Sequence, residues 1–197
     1  MGSNIEKESR IMLTHEEYIL ICADILKRKP HARFFTQTNY YFDEDYYLTD
    51  HHMMLRVRTI DKKNHEITLK IKGEDGDKEN NQTISARSTN ILMKKGVFPH
   101  GEVYDALTSV HVLPKNLKLV TSLYTRRLQA NFDGYILAVD LNRYGGIEDF
   151  NLEIESNISL EHAKEILKQY CEQYQLNYQE DYIVKSARAI NLVRHSN

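Results

Sequence analysis

Two cysteines, three prolines and eight glycines are few among 197 residues, and that scarcity excludes a disulfide scaffold, collagen and a flexible linker protein. Cys22 and Cys171 stand alone, without the close spacing of a zinc finger or redox pair, and each falls in an apolar helical pattern. They read as small buried hydrophobes. No apolar run approaches the roughly 20 residues that span a bilayer, and Met1 to Ser9 lacks the apolar core of a secretory signal. A cytoplasmic protein is the default expectation. Gly2 follows Met1, but Glu6 stands where myristoylation requires Ser or Thr. Neither sign of charge is in excess: 26 Lys and Arg face 28 Asp and Glu, so no global basic field recruits duplex nucleic acid or a membrane. The G-x-x-x-x-G-K-[ST] loop of P-loop triphosphatases is missing as well.

What remains is an ordered composition, 41% hydrophobic and 27% charged, with no repeat or low-complexity tract, which reads as one globular domain over residues 1–197. Thr14-His15-Glu16-Glu17 offers a capping box for a helix from Glu16 to about Lys29, with Pro30 as its stop. Strand signals precede it at Glu6 to Leu13 and follow at Phe34 to Phe42, Met54 to Ile60, Glu66 to Ile71 and Gln82 to Ala86. Short helices are expected at Thr89 to Lys95, closed by Gly96, and at Gly101 to Leu107. A second meander runs Leu117 to Asn131, Tyr135 to Arg143 and Glu148 to Ser156, with turns at Asp133-Gly134 and Gly145-Gly146. Ser159 then caps a helix, and Asp181 to Val193 closes the chain as a short helix or turn. Hairpins with helices outside them make an α+β fold built on an antiparallel sheet.

The anomaly lies in the strands. Residues i and i+2 of a strand face the same side. By that parity Glu6, Glu8 and Arg10 share one face, as do Arg56 with Arg58, Glu66 with Thr68, Lys70 and Lys72, Thr125 with Arg127, Ala138 with Asp140 and Asn142, and Glu153 with Glu155. An ordinary solvated face explains any one of these strands. It does not explain like charges placed side by side on several of them, because same-face neighbours of one sign repel. If the sheet curls with this face inward, each buried ion costs several kcal/mol unless compensated, so the lumen has to be a functional site. Its cations suit a chain of phosphates, and its carboxylates suit Mg²⁺ or Mn²⁺, which bridges carboxylate and phosphate oxygens.

Other signals carry less. The adjacent His51 and His52 have no third ligand at metal spacing and read as a polar loop. Asp43-Glu44-Asp45 lacks the Gly and terminal Glu of a calcium loop and reads as a turn, with Asp43 its one residue of interest. Thirteen tyrosines without an interleaved basic run are packing residues rather than base-stacking platforms.

Glu6-Lys7-Glu8-Ser9-Arg10 resembles the E-x-E-x-K signature of the CYTH family, the triphosphate tunnel metalloenzymes, with Arg10 in place of Lys. Gln37 to Asp43, Leu55-Arg56-Val57-Arg58, Thr68-Leu69-Lys70, Thr125-Arg126-Arg127, Val139-Asp140, Gly146-Ile147-Glu148, Leu152-Glu153-Ile154-Glu155 and Lys185-Ser186-Ala187-Arg188 follow in the family's order. The resemblance implies a closed eight-stranded antiparallel β-barrel, or tunnel, with peripheral helices. It implies a divalent-metal-dependent triphosphatase acting on inorganic tripolyphosphate, thiamine triphosphate or a nucleoside triphosphate, with adenylate cyclase or a non-catalytic triphosphate sensor as alternatives. By the same resemblance Glu6, Glu8, Asp140, Glu153 and Glu155 hold Mg²⁺ or Mn²⁺, while Arg10, Arg56, Arg58, Lys70, Lys72, Arg127, Lys185 and Arg188 grip phosphates. Glu6, Glu8, Lys70 and Arg127 take the catalytic roles. Besides Arg10, two positions depart from the family: the fifth strand near Gln82-Thr83-Ile84 shows no acid, and Asn151 stands where a third Glu often begins the E-x-E-x-E stretch.

Overall fold

The computed structural model describes residues 7–73, 78–181 and 183–195. In chain order these form β1 (Glu8–Leu13), α1 (His15–Arg28), β2 (Arg33–Asp43), α2 (Tyr47–Asp50), β3 (Met53–Ile60), β4 (Asn64–Ile71) and β5 (Lys78–Ile84). There follow α3 (Ala86–Lys95), α4 (Glu102–Ser109), β6 (Lys118–Phe132), β7 (Tyr135–Tyr144), β8 (Ile147–Ser156), α5 (Leu160–Tyr174) and α6 (Lys185–Arg194). The strands make an eight-stranded antiparallel sheet in the order β1-β8-β7-β6-β2-β3-β4-β5. The expected α+β architecture with peripheral helices is present. Closure into a barrel is not shown: the order ends at β1 and β5, and among the described residues no ladder joins those two strands.

The chain divides into two compact units. The described part of one comprises residues 37–73, 78–123 and 186–195; that of the other comprises 7–36, 124–181 and 183–185. Strands β2 and β6 each run through both. In the second unit the even residues of β6 and β8 and the odd residues of β1 and β7 turn to a core of Ile11, Leu128, Leu137, Val139, Leu152 and Ile154, covered by Ile21 and Ile25 of α1 and Leu167 of α5. In the first unit Leu55, Val57, Ile67 and Leu69 make the equivalent layer under Leu92 of α3 and Val103 and Leu107 of α4. Each sheet face thus has one apolar side sealed by helices, as alternation demands.

Local signals account for most boundaries. The Thr14 hydroxyl accepts from the Glu17 amide at 3.2 Å and the Glu17 carboxylate accepts from the Thr14 amide at 2.7 Å, completing the capping box. Gly96 ends α3 at φ +66°, a left-handed conformation that glycine adopts without steric penalty. Helix α3 begins three residues earlier than expected because the Ser85 hydroxyl caps it by accepting from the Ser88 amide at 3.0 Å. β5 starts at Lys78, well before the expected Gln82. The Asp43 turn is present and dense: its carboxylate accepts from the amides of Glu44, Leu48 and Thr49 at 2.8, 2.8 and 3.0 Å and from the Thr49 hydroxyl at 2.7 Å. It thereby starts α2, a four-residue helix too short to leave a periodic signal. Among the described residues no helix is long and apolar enough to cross a membrane.

Because four hydrogen bonds converge on a side chain only 3% exposed, Asp43→Ala is expected to cost about 3 kcal/mol in urea unfolding, whereas Thr14→Ala, at an exposed cap, is expected to cost about 1 kcal/mol. Equal losses would show that the Asp43 cluster is solvated rather than structural.

Candidate functional site

In the second unit the residues facing away from the core are polar on four adjacent strands. Antiparallel register sets Arg10 opposite Glu153, Asp140 opposite both Arg127 and Asn151, and Asn142 opposite both Thr125 and Asp149. Cross-strand neighbours on one face lie within side-chain reach, and here they meet as ion pairs. Arg127 forks onto Asp140, Nε to Oδ1 at 2.8 Å and a terminal nitrogen to Oδ2 at 2.7 Å, and also reaches Glu153 at 2.6 Å. The Lys185 ammonium joins the same two carboxylates, bonding Asp140 and lying 2.8 Å from Glu153. Arg10 bonds Glu8, with its Nε at 2.9 Å, and stands 3.5 Å from Glu153. Three cations and three carboxylates therefore share one set of contacts, with Asp140 fully buried and Glu153 5% exposed.

Burial and pairing pull the carboxyls apart. Burial pushes Asp140 up, but the Arg127 and Lys185 charges more than reverse this and hold it well below the usual carboxylate range. Glu153 is likewise lowered: burial raises it, and Lys185 and Arg127 overcome that, with Asp140 opposing them. Glu8 moves the other way, raised by burial and then by the Glu153 charge, with Arg10 only partly compensating. Arg127 is raised because Asp140 and Glu153 outweigh its own desolvation.

The first unit carries a second polar face, on β2 to β5. Register places Arg56 between Tyr41 and Thr68, and Arg58 between Asn39 and Glu66. Arg58 Nε donates to Asn39 Oδ1 at 2.8 Å and a terminal nitrogen lies 3.6 Å from Glu66. Thr68, fully buried, donates to Asn81 at 2.7 Å. Lys70 stands 3.9 Å from Glu79 on β5. Arg56, Arg58 and Arg188 all act on Tyr41, yet burial raises its hydroxyl despite them. This face is richer in cations than in acids.

The sequence-predicted residues thus fall as follows. Glu8, Arg10, Arg127, Asp140, Glu153 and Lys185 come together in the second unit. Arg56, Arg58 and Lys70 share a strand face in the first, with Arg188 beside Tyr41. Glu6 lies outside the described residues. Glu155 is on the expected strand, opposite Glu8, but exposed, and Lys72 is exposed just past the end of β4. Glu79 was missed: extending the parity of Thr83 and Asn81 back two residues reaches it, and it supplies the fifth-strand acid that the stretch near Gln82 lacks. Asp149 was missed too, although parity from Glu153 through Asn151 points to it.

Among the described residues no three His, Cys, Asp or Glu side chains are gathered into a ready-made metal cage, since arginine and lysine stand between the acids. The donors nevertheless fit a hard divalent cation. Glu8, Asp140 and Glu153 offer only carboxylate oxygens, the ligand type a hard divalent ion takes.

A family model described as the CYTH domain matches residues 4–187. A Bacillus subtilis protein provisionally named triphosphatase YjbK is 29% identical over 157 residues, covering 79% of this chain and 80% of its own. Among solved structures, a Bacillus halodurans protein provisionally named an adenylate cyclase aligns at TM-score 0.78 and 29% identity, covering 93% of this chain and 97% of that one. HpAC1 from Hippeastrum, described as an adenylyl cyclase by provisional name with a dominant triphosphatase activity, aligns at TM-score 0.75 and 19% identity over 98% of this chain and 96% of that one, a likeness of fold.

A carboxyl lowered on folding stabilises the native state above its unfolded value, and that stabilisation is lost as pH falls toward the folded value. Asp140 and Glu153 are both lowered. Stability measured by thermal melting is therefore expected to fall steadily below about pH 4, and Asp140→Asn is expected to flatten that dependence while lowering stability at neutral pH by about 3 kcal/mol. An unchanged acid limb in the variant would show that Asp140 is not held in its ionised form by Arg127 and Lys185.

Proposed function

Because the chain belongs to the CYTH domain family, we propose that it is a cytoplasmic, divalent-metal-dependent triphosphatase acting on inorganic tripolyphosphate or a small organic triphosphate such as thiamine triphosphate or a nucleoside triphosphate. The observation that carries this reading is the buried cluster in which Arg10, Arg127 and Lys185 are held by Glu8, Asp140 and Glu153. Buried ions of both signs are costly to maintain. A ligand of opposite charge to each set gives them a use: metal to the carboxylates, phosphates to the cations. The reading retains one domain over residues 1–197 and a closed tunnel as its architecture.

In this proposal Glu8, Asp140 and Glu153 hold Mg²⁺ or Mn²⁺, with Glu6 and Glu155 as further ligands. When bound, the metal neutralises phosphoryl oxygens and acidifies water. The planar guanidinium forks of Arg10, Arg56, Arg58, Arg127 and Arg188 suit bidentate capture of phosphate oxygens, and Lys70, Lys72 and Lys185 act as point charges. Phosphoryl transfer spreads charge over equatorial oxygens, so cations fixed before the reaction stabilise the transition state without reorganising. Glu79 holds Lys70 in place, and Asn39 holds Arg58. The partner is a small molecule rather than a membrane or duplex nucleic acid.

Two relatives carry cyclase names, so a CYTH-type adenylate cyclase is the second reading. Products separate the readings. Tripolyphosphate, thiamine triphosphate and ATP, each offered with Mg²⁺ or Mn²⁺, are expected to yield orthophosphate that chelation abolishes. Cyclic AMP with pyrophosphate from ATP would assign the cyclase instead, and tight binding without turnover would assign a sensor. Within the hydrolase, Arg56→Ala is expected to raise KM by roughly tenfold, the scale of one charge-assisted hydrogen bond, and Glu153→Gln is expected to lower kcat by roughly a hundredfold. Unchanged kinetics in both would remove the charged sheet faces from the reaction.

A further inference from the structure

Among the described residues, the charged face of β8 holds a buried polar atom without a hydrogen-bond partner. Asn151 is fully buried, and its Nδ2 makes no hydrogen bond. Which end of this amide is unpaired follows from its neighbours. A carboxylate only accepts, so the Asn142 nitrogen, not its oxygen, must face Asp149, to which it donates at 2.9 Å. The Thr125 hydroxyl then donates to Asn142 Oδ1 at 2.8 Å. The same Asn142 nitrogen also donates to Asn151 at 2.7 Å, and what it meets must be the oxygen. The orphan on Asn151 is thus a donor, and a buried orphan donor costs about 1–3 kcal/mol.

Its nearest acceptor in register is heavily engaged. Asp140, directly across on β7, already takes both arms of Arg127 and the Lys185 ammonium. Among the described residues no group accepts from Asn151 Nδ2, which leaves it open to an acceptor on an incoming ligand. An amide nitrogen does not ligate a hard cation, and the Asn151 oxygen already accepts from Asn142, so what residue 151 chiefly offers an incoming group is its unpaired N–H donors.

We propose that Asn151 is a specificity-determining residue of this site, donating its Nδ2 to a phosphoryl oxygen of the bound triphosphate beside Asp140. The inference rests on the triphosphate reading. Phosphates draw Arg127 and Lys185 off Asp140, and the oxygen that arrives with them meets the waiting donor. Asn142, locked by Thr125 and Asp149, fixes the angle of that donor.

The test is calorimetric titration of the whole chain with tripolyphosphate, together with a separate titration with Mn²⁺ alone and a melting curve. Asn151→Asp keeps the size and the bond from Asn142 but removes the donor. It is expected to weaken tripolyphosphate binding by roughly tenfold or more, with Mn²⁺ affinity unreduced. Asn151→Ala adds no buried charge and carries the same comparison should the first variant fail to fold; it is expected to weaken tripolyphosphate binding by roughly five- to tenfold with Mn²⁺ affinity unchanged. Folded variants that bind tripolyphosphate within twofold of wild type would overturn the inference, as would a loss confined to the melting temperature or to Mn²⁺. Failure of the wild-type chain to bind tripolyphosphate would instead remove the functional reading, and the inference with it.

Discussion

Asp140 and Glu153 stay ionised in the interior of the second unit because Arg127 and Lys185 each hold both of them. Neither carboxylate could be buried alone: desolvation by itself would drive it to its neutral form. The pairing is also incomplete in an informative way. Burial and then the Glu153 charge raise Glu8, and Arg10, shared between the two carboxylates, offsets this only in part. The cluster therefore balances its charges without satisfying each one equally.

That cluster is possible only because of the sheet beneath it. Alternation sends Ile11, Leu128, Val139, Leu152 and Ile154 to the helices and leaves Arg10, Arg127, Asp140 and Glu153 together on the other side. A slip of one residue in register would put every charge in the core, so the apolar packing under α1 and α5 enforces the geometry of the charged face. The first unit repeats the arrangement with different chemistry. There Arg58 is held by Asn39 and Glu66 and Lys70 by Glu79, while among the described residues the buried Arg56 Nε makes no hydrogen bond. One face is matched in acids and bases and the other leans to cations.

Much of this was legible in the chain. Strand parity depends on local geometry alone, so the charged faces of Arg56 and Arg58, of Thr125 and Arg127, and of Asp140 and Asn142 could be read directly. The cap at Thr14 and the stop at Gly96 were legible for the same reason. Register was not. That Arg127 would meet Asp140, or Asn142 stand between Thr125 and Asp149, depends on how strands far apart in sequence align. Glu79 was hidden because Lys78 to Gln82 contains no apolar residue to mark a strand. Glu155 and Lys72 show the converse: parity put them with the others, but exposure at Glu155 and the end of β4 before Lys72 leave them out of the buried contacts. Motif order, which reflects the whole domain at once, supplied the family where no single strand could.

If Arg127 serves the substrate, it exchanges Asp140 and Glu153 for phosphate when the site loads. The most direct measurement is the ¹⁵N–¹H signal of Arg127 Nε during titration of the protein with tripolyphosphate and Mg²⁺. Displacement of that signal, saturating with tripolyphosphate binding, is the predicted result. An Arg127 signal that stays in place while tripolyphosphate binds would contradict it, because the guanidinium would then belong to the fold and not to the substrate.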